Sequence, residues 1–150
     1  IGVFIVSSLT ELLNSIEVSG ILLIILFFVI TMISTMFIPA SSTKWAILSP
    51  VVVPMFMQSS LTPEFAQAVF RAADSAVKGI SPLFTYFVIF LGFLQIYNKK
   101  KDNAVTLTDA VGLMIPYAIS YSILWFVIIL AFYIIGIPIG IGTGVMLPTA

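Results

Sequence analysis

Residues 20–58 read GILLIILFFVITMISTMFIPASSTKWAILSPVVVPMFMQ. After Gly20 comes an apolar-dominated run, Ile21 to Ile38, with no charge in it. At ~1.5 Å per residue such a run is long enough to cross a hydrocarbon core of about 30 Å. It ends at Pro39, and a short polar stretch follows: Ser41, Ser42, Thr43 and Lys44. Apolar residues then resume from Trp45 to Met57, interrupted by Pro50 and Pro54. This second limb is short for a crossing, since apolar runs of about 10–14 residues are typical of re-entrant or interfacial segments. Two limbs joined by a small polar tip predict a helical hairpin that dips into a membrane and returns. Irregular backbone at membrane depth is tolerated only where protein buries it or where it lines a wet cavity.

Composition supports the same environment. Hydrophobic residues make up 61% of the chain, charged residues 8%, and the mean hydropathy is +1.22. A soluble domain is about a quarter charged, so the bilayer must act as solvent for most of this surface. The formal net charge is zero and no basic patch is interleaved with aromatics, so nucleic acid is not an expected partner. The chain has neither Cys nor His. That removes disulfides, thiolate metal sites and the commonest general base. The six acids are Glu11, Glu17, Glu64, Asp74, Asp102 and Asp109, and none form a pair at a spacing suited to hydrolysis. An enzyme is not expected.

Outward from the hairpin, residues 1–9 read as the end of an earlier helix and residues 10–19 as an amphipathic polar segment. The chain starts with Ile and shows no signal-peptide pattern, which reads as a piece lacking its N-terminal portion. Downstream, Thr62 followed by Pro63 is a helix start, an N-cap hydroxyl with proline in the first turn. A helix over 62–98 is interrupted at Gly79-Ile80-Ser81-Pro82, because Pro82 lacks an N–H and clashes with the preceding turn. Thr106 and Asp109 stand at capping-box spacing before a last helix, residues 107–136, with a kink expected near Pro116. The tail from Ile137 holds two Pro and three Gly and is expected to leave the bilayer. The fold class is therefore an all-α membrane protein: a re-entrant helical hairpin (20–58), a broken transmembrane helix (62–98) and a final transmembrane helix (107–136). Lys99, Lys100 and Lys101 set the orientation. By the positive-inside rule they are cytoplasmic, the hairpin opens to the exterior, and the C-terminal end is exterior too.

The segment 64–78 carries the chemistry. Glu64, Gln67, Arg71, Asp74, Ser75 and Lys78 recur at spacings of three and four, which puts them on one helix face. Arg71–Asp74 and Asp74–Lys78 are placed to pair within the helix. Charges at membrane depth cost about 2.5–3.5 kcal/mol each on insertion scales. The stripe thus either lines a substrate or ion path or lies in water on an interfacial helix. The break at Pro82 favours the path, because discontinuous helices build transporter sites. The tip Pro39–Trp45 is either a ligand site, with hydroxyls and the positive start of the second limb, or an ordinary loop with Trp45 as interfacial anchor. Trp125, Tyr117, Tyr121 and Tyr133 read as packing or belt residues, and Asp109 as a helix cap.

These stretches resemble one family. SSTKWAILSPVVVPMFM is similar to the second re-entrant hairpin of AbgT-family transporters, FRAADSAVKGISPLFTYFVIFLGFLQIYNKK to the broken helix after it, and MIPYAIS to the last helix. The resemblance covers roughly residues 18–140, so the chain looks like the C-terminal part of one transmembrane transporter domain. It implies a homodimeric, multi-pass carrier of the bacterial inner membrane with two re-entrant hairpins and nine spanning helices. It implies movement of p-aminobenzoyl-glutamate or related folate-catabolite or sulfonamide-like anions, driven by a proton or sodium gradient and needing no cofactor. The family's substrate-pathway residues fall on Ser42, Trp45, Arg71, Asp74 and Pro82. In that reading Arg71 meets a substrate carboxylate, Trp45 an aminobenzoyl ring, Asp74 orients Arg71 or relays a proton, and Pro82 frees backbone groups. Departures are Pro39 where Gly is common at the tip, Thr35 where many members carry Asn at a position associated with an ion, and Thr85 in place of a Pro. Two other readings stay open: a sodium-coupled dicarboxylate carrier of a related hairpin fold, and a non-transporting membrane subunit whose stripe docks a partner.

Overall fold

The computed structural model describes residues 20–98, 104–141 and 144–147. The stub, the amphipathic segment before Gly20 and the Lys99–Lys101 loop lie outside the described residues. Among those described, the regular structure is five helices and no strands: α1 (Gly20–Phe37), α2 (Ser41–Gln58), α3 (Pro63–Lys78), α4 (Thr85–Tyr97) and α5 (Leu107–Ile135). Two of them, α1 and α5, are long and apolar enough to cross a membrane.

The hairpin limbs are equal in length. The polar tip is not a loop: Ser41, Ser42 and Thr43 are the first turn of α2, and only Ile38–Ala40 link the limbs. Nor do the prolines divide the second limb, because α2 continues through Pro50 and Pro54. Leu48, Val52 and Phe56 are buried at four-residue spacing and hold that face of α2 against its neighbours. Both prolines lie on the exposed side, where a lost hydrogen bond is least disruptive.

Helix α3 is the centre of the bundle. It packs mainly on α1 and α5 and also touches α2. Ala66, Ala72, Ala73 and Ala76 are buried along it, and such small residues let helix backbones approach closely. Aromatic rings join the helices. Phe27 of α1 meets Phe56 of α2 edge-on at 5.5 Å, Phe56 continues to Phe65 of α3 at 6.5 Å, and Phe65 stacks on Tyr133 of α5 at 6.4 Å. The Tyr133 hydroxyl also leaves little room beside α1, since a Cβ at Gly20 would meet it at 3.0 Å.

The expected helix starts are present. The Thr62 side chain accepts from the Phe65 N–H, and Thr106 and Asp109 form a reciprocal capping box. The break lies between Lys78 and Thr85, as the sequence predicts. Helix α5 runs through Pro116 to Ile135 and closes on Gly136, whose φ of 72° is the left-handed geometry of a glycine stop. The tail then folds back. Leu61 and Met146 form an antiparallel bridge, Thr62 N–H donates to Val145 C=O at 2.9 Å, and Leu147 N–H donates to Ser60 C=O at 2.9 Å. Val145 is buried in the core, so the tail is tied to the junction between α2 and α3.

Candidate functional site

The ends of α1, α2 and α3 converge on Asp74. Its position follows from helical geometry. Glu64, Gln67, Arg71 and Ser75 face outward on α3, but a step of three residues falls about 60° short of a full turn. Asp74 therefore sits at the edge of that face and turns inward, only 3% exposed. The expected single stripe is thus two surfaces: an outward polar row, and an inward carboxylate among the hairpin helices. Asp74 pairs with Lys78, as expected for i,i+4, at 3.5 Å. The expected Asp74–Arg71 pair is absent, and Arg71 is exposed without an ion pair among the described residues.

The principal partner of Asp74 is Lys44. The Nζ of Lys44, itself 1% exposed, donates to Asp74 Oδ1 at 2.5 Å and to Thr35 Oγ1 at 2.5 Å. The Thr35 hydroxyl lies 3.0 Å from Asp74 Oδ1 and 2.7 Å from the Thr31 carbonyl, and its one proton serves either acceptor. On the other oxygen, Ser41 Oγ donates to Asp74 Oδ2 at 2.5 Å and accepts from Lys78 Nζ at 2.6 Å. Stripping water from a charge pair is expensive unless the remaining hydrogen bonds are made. Here the hydroxyls of Thr35 on α1 and Ser41 on α2 supply them. The ammonium of Lys44 also lies 5.7 Å from the Phe70 ring centre.

The other expected site residues lie on α2 and in the break after α3. Ser42 is exposed on the first turn of α2, one residue from Ser41. Trp45 is half-buried against Phe70, ring centres 5.0 Å apart and tilted by 45°. Pro82 is exposed within the break. The backbone there is partly satisfied by tight turns, Ser81 N–H to Lys78 C=O and Phe84 N–H to Ser81 C=O. On the α5 side of the break, Tyr117 and Tyr121 line a cleft with Ser75 and Gly79. No group of His, Cys, Asp or Glu suited to a metal occurs among the described residues.

Sequence reasoning missed Lys44 as the partner of Asp74. A signal for it was present, because Lys44 is the one charge between Gly20 and Gln58. A lone ammonium in an apolar hairpin requires a counter-charge, and the acids on the next helix offered one.

A paired-limb hairpin, a broken helix and a buried ion pair between them define a class of membrane protein built around an internal polar site. Comparison with known proteins specifies it further. The profile of the AbgT putative transporter family matches residues 1–147, and the chain belongs to that family. It is 39% identical over 141 residues to the p-aminobenzoyl-glutamate transport protein of Escherichia coli (strain K12), covering 94% of this chain and 27% of that protein. Its structure is similar to the crystal structure of the Alcanivorax borkumensis YdaH transporter, with a TM-score of 0.77 and 32% identity, over 93% of this chain and 29% of that one. It is also similar to Neisseria gonorrhoeae MtrF, described as illuminating a class of antimetabolite efflux pumps. There the TM-score is 0.73 at 26% identity, over 98% of this chain and 28% of the other. The chain therefore spans about a quarter of the length of the relatives it matches.

Proposed function

We propose that this chain forms part of a secondary active transporter that moves p-aminobenzoyl-glutamate or a related aromatic anion across the bacterial inner membrane. The observation that carries this reading is the buried Lys44–Asp74 pair, which ties the hairpin tip to a helix that breaks one turn later. Ionisable residues at membrane depth are functional by default, and broken helices are the usual material of midplane sites. In this reading α1 and α2 enter and leave the membrane on one face, as a re-entrant hairpin. Ser42 and the start of α2 supply donors, Trp45 offers a ring edge, Arg71 meets a carboxylate, and Pro82 keeps the helix open. Asp74 holds the hairpin through Lys44, and it is the group through which a proton or sodium gradient acts. The remaining spans, a second copy of the subunit and the other half of the site come from outside this chain. The names of the relatives support the substrate class, since one is a p-aminobenzoyl-glutamate transport protein.

The test is uptake of labelled p-aminobenzoyl-glutamate into proteoliposomes holding the whole transporter. Arg71→Ala and Trp45→Ala are expected to lower uptake at least tenfold, about 1.4 kcal/mol of lost binding each, with correctly assembled protein. Full uptake by Trp45→Ala together with transport of a small dicarboxylate would favour the dicarboxylate carrier. Impaired assembly in both variants, with no substrate effect, would favour the non-transporting subunit.

A further inference from the structure

Among the described residues, the charges at the hairpin tip do not balance. Two ammoniums, Lys44 and Lys78, meet one carboxylate, Asp74. Lys44 is fully committed: it is 1% exposed and bonded to both Asp74 and Thr35. Lys78 is not. It stands 3.5 Å from Asp74, against 2.5 Å for Lys44, and its side chain stays 26% exposed. Its other neighbours are the Ser41 hydroxyl at 2.6 Å and the Phe84 ring, whose centre lies 5.2 Å away. The surplus positive charge therefore resides on Lys78.

Two helix starts flank the same ammonium. Ser41 opens α2 behind Ala40, and Phe84 is the residue before α4; neither Ala40 nor Phe84 provides a side-chain cap. At α3 and α5 that role is filled by Thr62 and Thr106. Uncapped helix starts present orphan N–H groups and partial positive charge. Within the same break the Ser81 hydroxyl is fully buried and has no partner among the described residues. A cation that is only partly neutralised at membrane depth is disfavoured, which calls for a further group of opposite sign beside it.

We infer that Lys78, held between Ser41 and Phe84, is a further substrate-binding residue whose ammonium receives a carboxylate of an organic anion. The inference rests on the transport reading above and deepens it. It adds a cation that Asp74 only partly neutralises, and it makes the site select charged carboxylates over their neutral amides. Arginine can keep this role; glutamine cannot.

The experiment measures binding to the whole transporter in detergent, for wild type, Lys78→Gln and Lys78→Arg. The probes are p-aminobenzoyl-glutamate, its neutral diamide, and benzoate. Lys78→Gln is expected to weaken both carboxylates by about tenfold or more and leave the diamide unchanged, while Lys78→Arg recovers most of the loss. The Lys44–Asp74 pair survives in either variant, and the ligand-free melting temperature checks that it does. Lys78→Gln that binds the carboxylates as wild type does, or loses the diamide equally, overturns the assignment. Wild type that binds benzoate but not p-aminobenzoyl-glutamate removes the proposed substrate, and Lys78 is then judged on benzoate. Wild type that binds neither carboxylate overturns both.

Discussion

Asp74 serves two cations and Lys44 serves one acid, and that asymmetry sets what substitution should do. Asp74→Asn strands two ammoniums, one of them fully buried. Breaking a buried pair in this way costs about 3–5 kcal/mol. Lys44→Met leaves Asp74 with Lys78 and the Ser41 and Thr35 hydroxyls, so it should be clearly the milder change. Melting temperatures of the two variants in detergent check this, and an equal loss would mean that Lys78 does not share the charge. At this scale the sequence was informative about chemistry and poor about partners. Spacing put Asp74, Arg71 and Lys78 on one helix, and the family resemblance selected Ser42, Trp45 and Pro82. Periodicity within one helix could not show that Asp74 turns away from Arg71 to a lysine that lies 30 residues earlier in the chain. Such a contact depends on how two helices are docked, and local spacing carries no record of that.

Helix boundaries were legible wherever a side chain makes the boundary. Thr62 with Pro63, Thr106 with Asp109, and the break before Pro82 all appear where the residues demand them. The second hairpin limb is longer than its apolar run because its polar first turn, Ser41–Lys44, is helical as well, and the prolines do not end it. Two prolines on the outer face of α2 do not outweigh Leu48, Val52 and Phe56 buried on the inner one. The Thr62 hydroxyl does more than the sequence implied, since it accepts from Phe65 N–H at 3.4 Å and donates to the Gly144 carbonyl at 2.8 Å. Thr62→Ala should therefore cost about 1–2 kcal/mol, and Thr62→Ser should stay near wild type. Thermal unfolding of the pair checks the cap, and indistinguishable variants would contradict it.

For the molecule as a whole, the open matter is which faces of the membrane the segments reach. The chain contains no cysteine, so it adds no thiol of its own to single cysteines placed within it. If the hairpin is re-entrant, Glu17→Cys and Ser60→Cys should react with an impermeant maleimide from the outside of intact cells, and Lys100→Cys only after the membrane is opened. Labelling of positions 17 and 60 from opposite faces would make the hairpin two crossings. Composition and length made the membrane setting legible at once, whereas the return of the tail onto the hairpin base was not. Backbone hydrogen bonds made by an apolar, glycine-rich segment leave no side-chain signature to read. That return also orders events in time. Thr62 leaves the ribosome 82 residues before the Gly144 carbonyl that it binds. At ~5–20 residues per second the delay is roughly 4–16 s, during which α3, α4 and α5 are delivered to the membrane. Until then the Ser60 carbonyl and the Thr62 amide have only water to bind, and water is absent from hydrocarbon. The base of the hairpin must wait at the membrane surface and is fastened only after the helices that surround it have arrived.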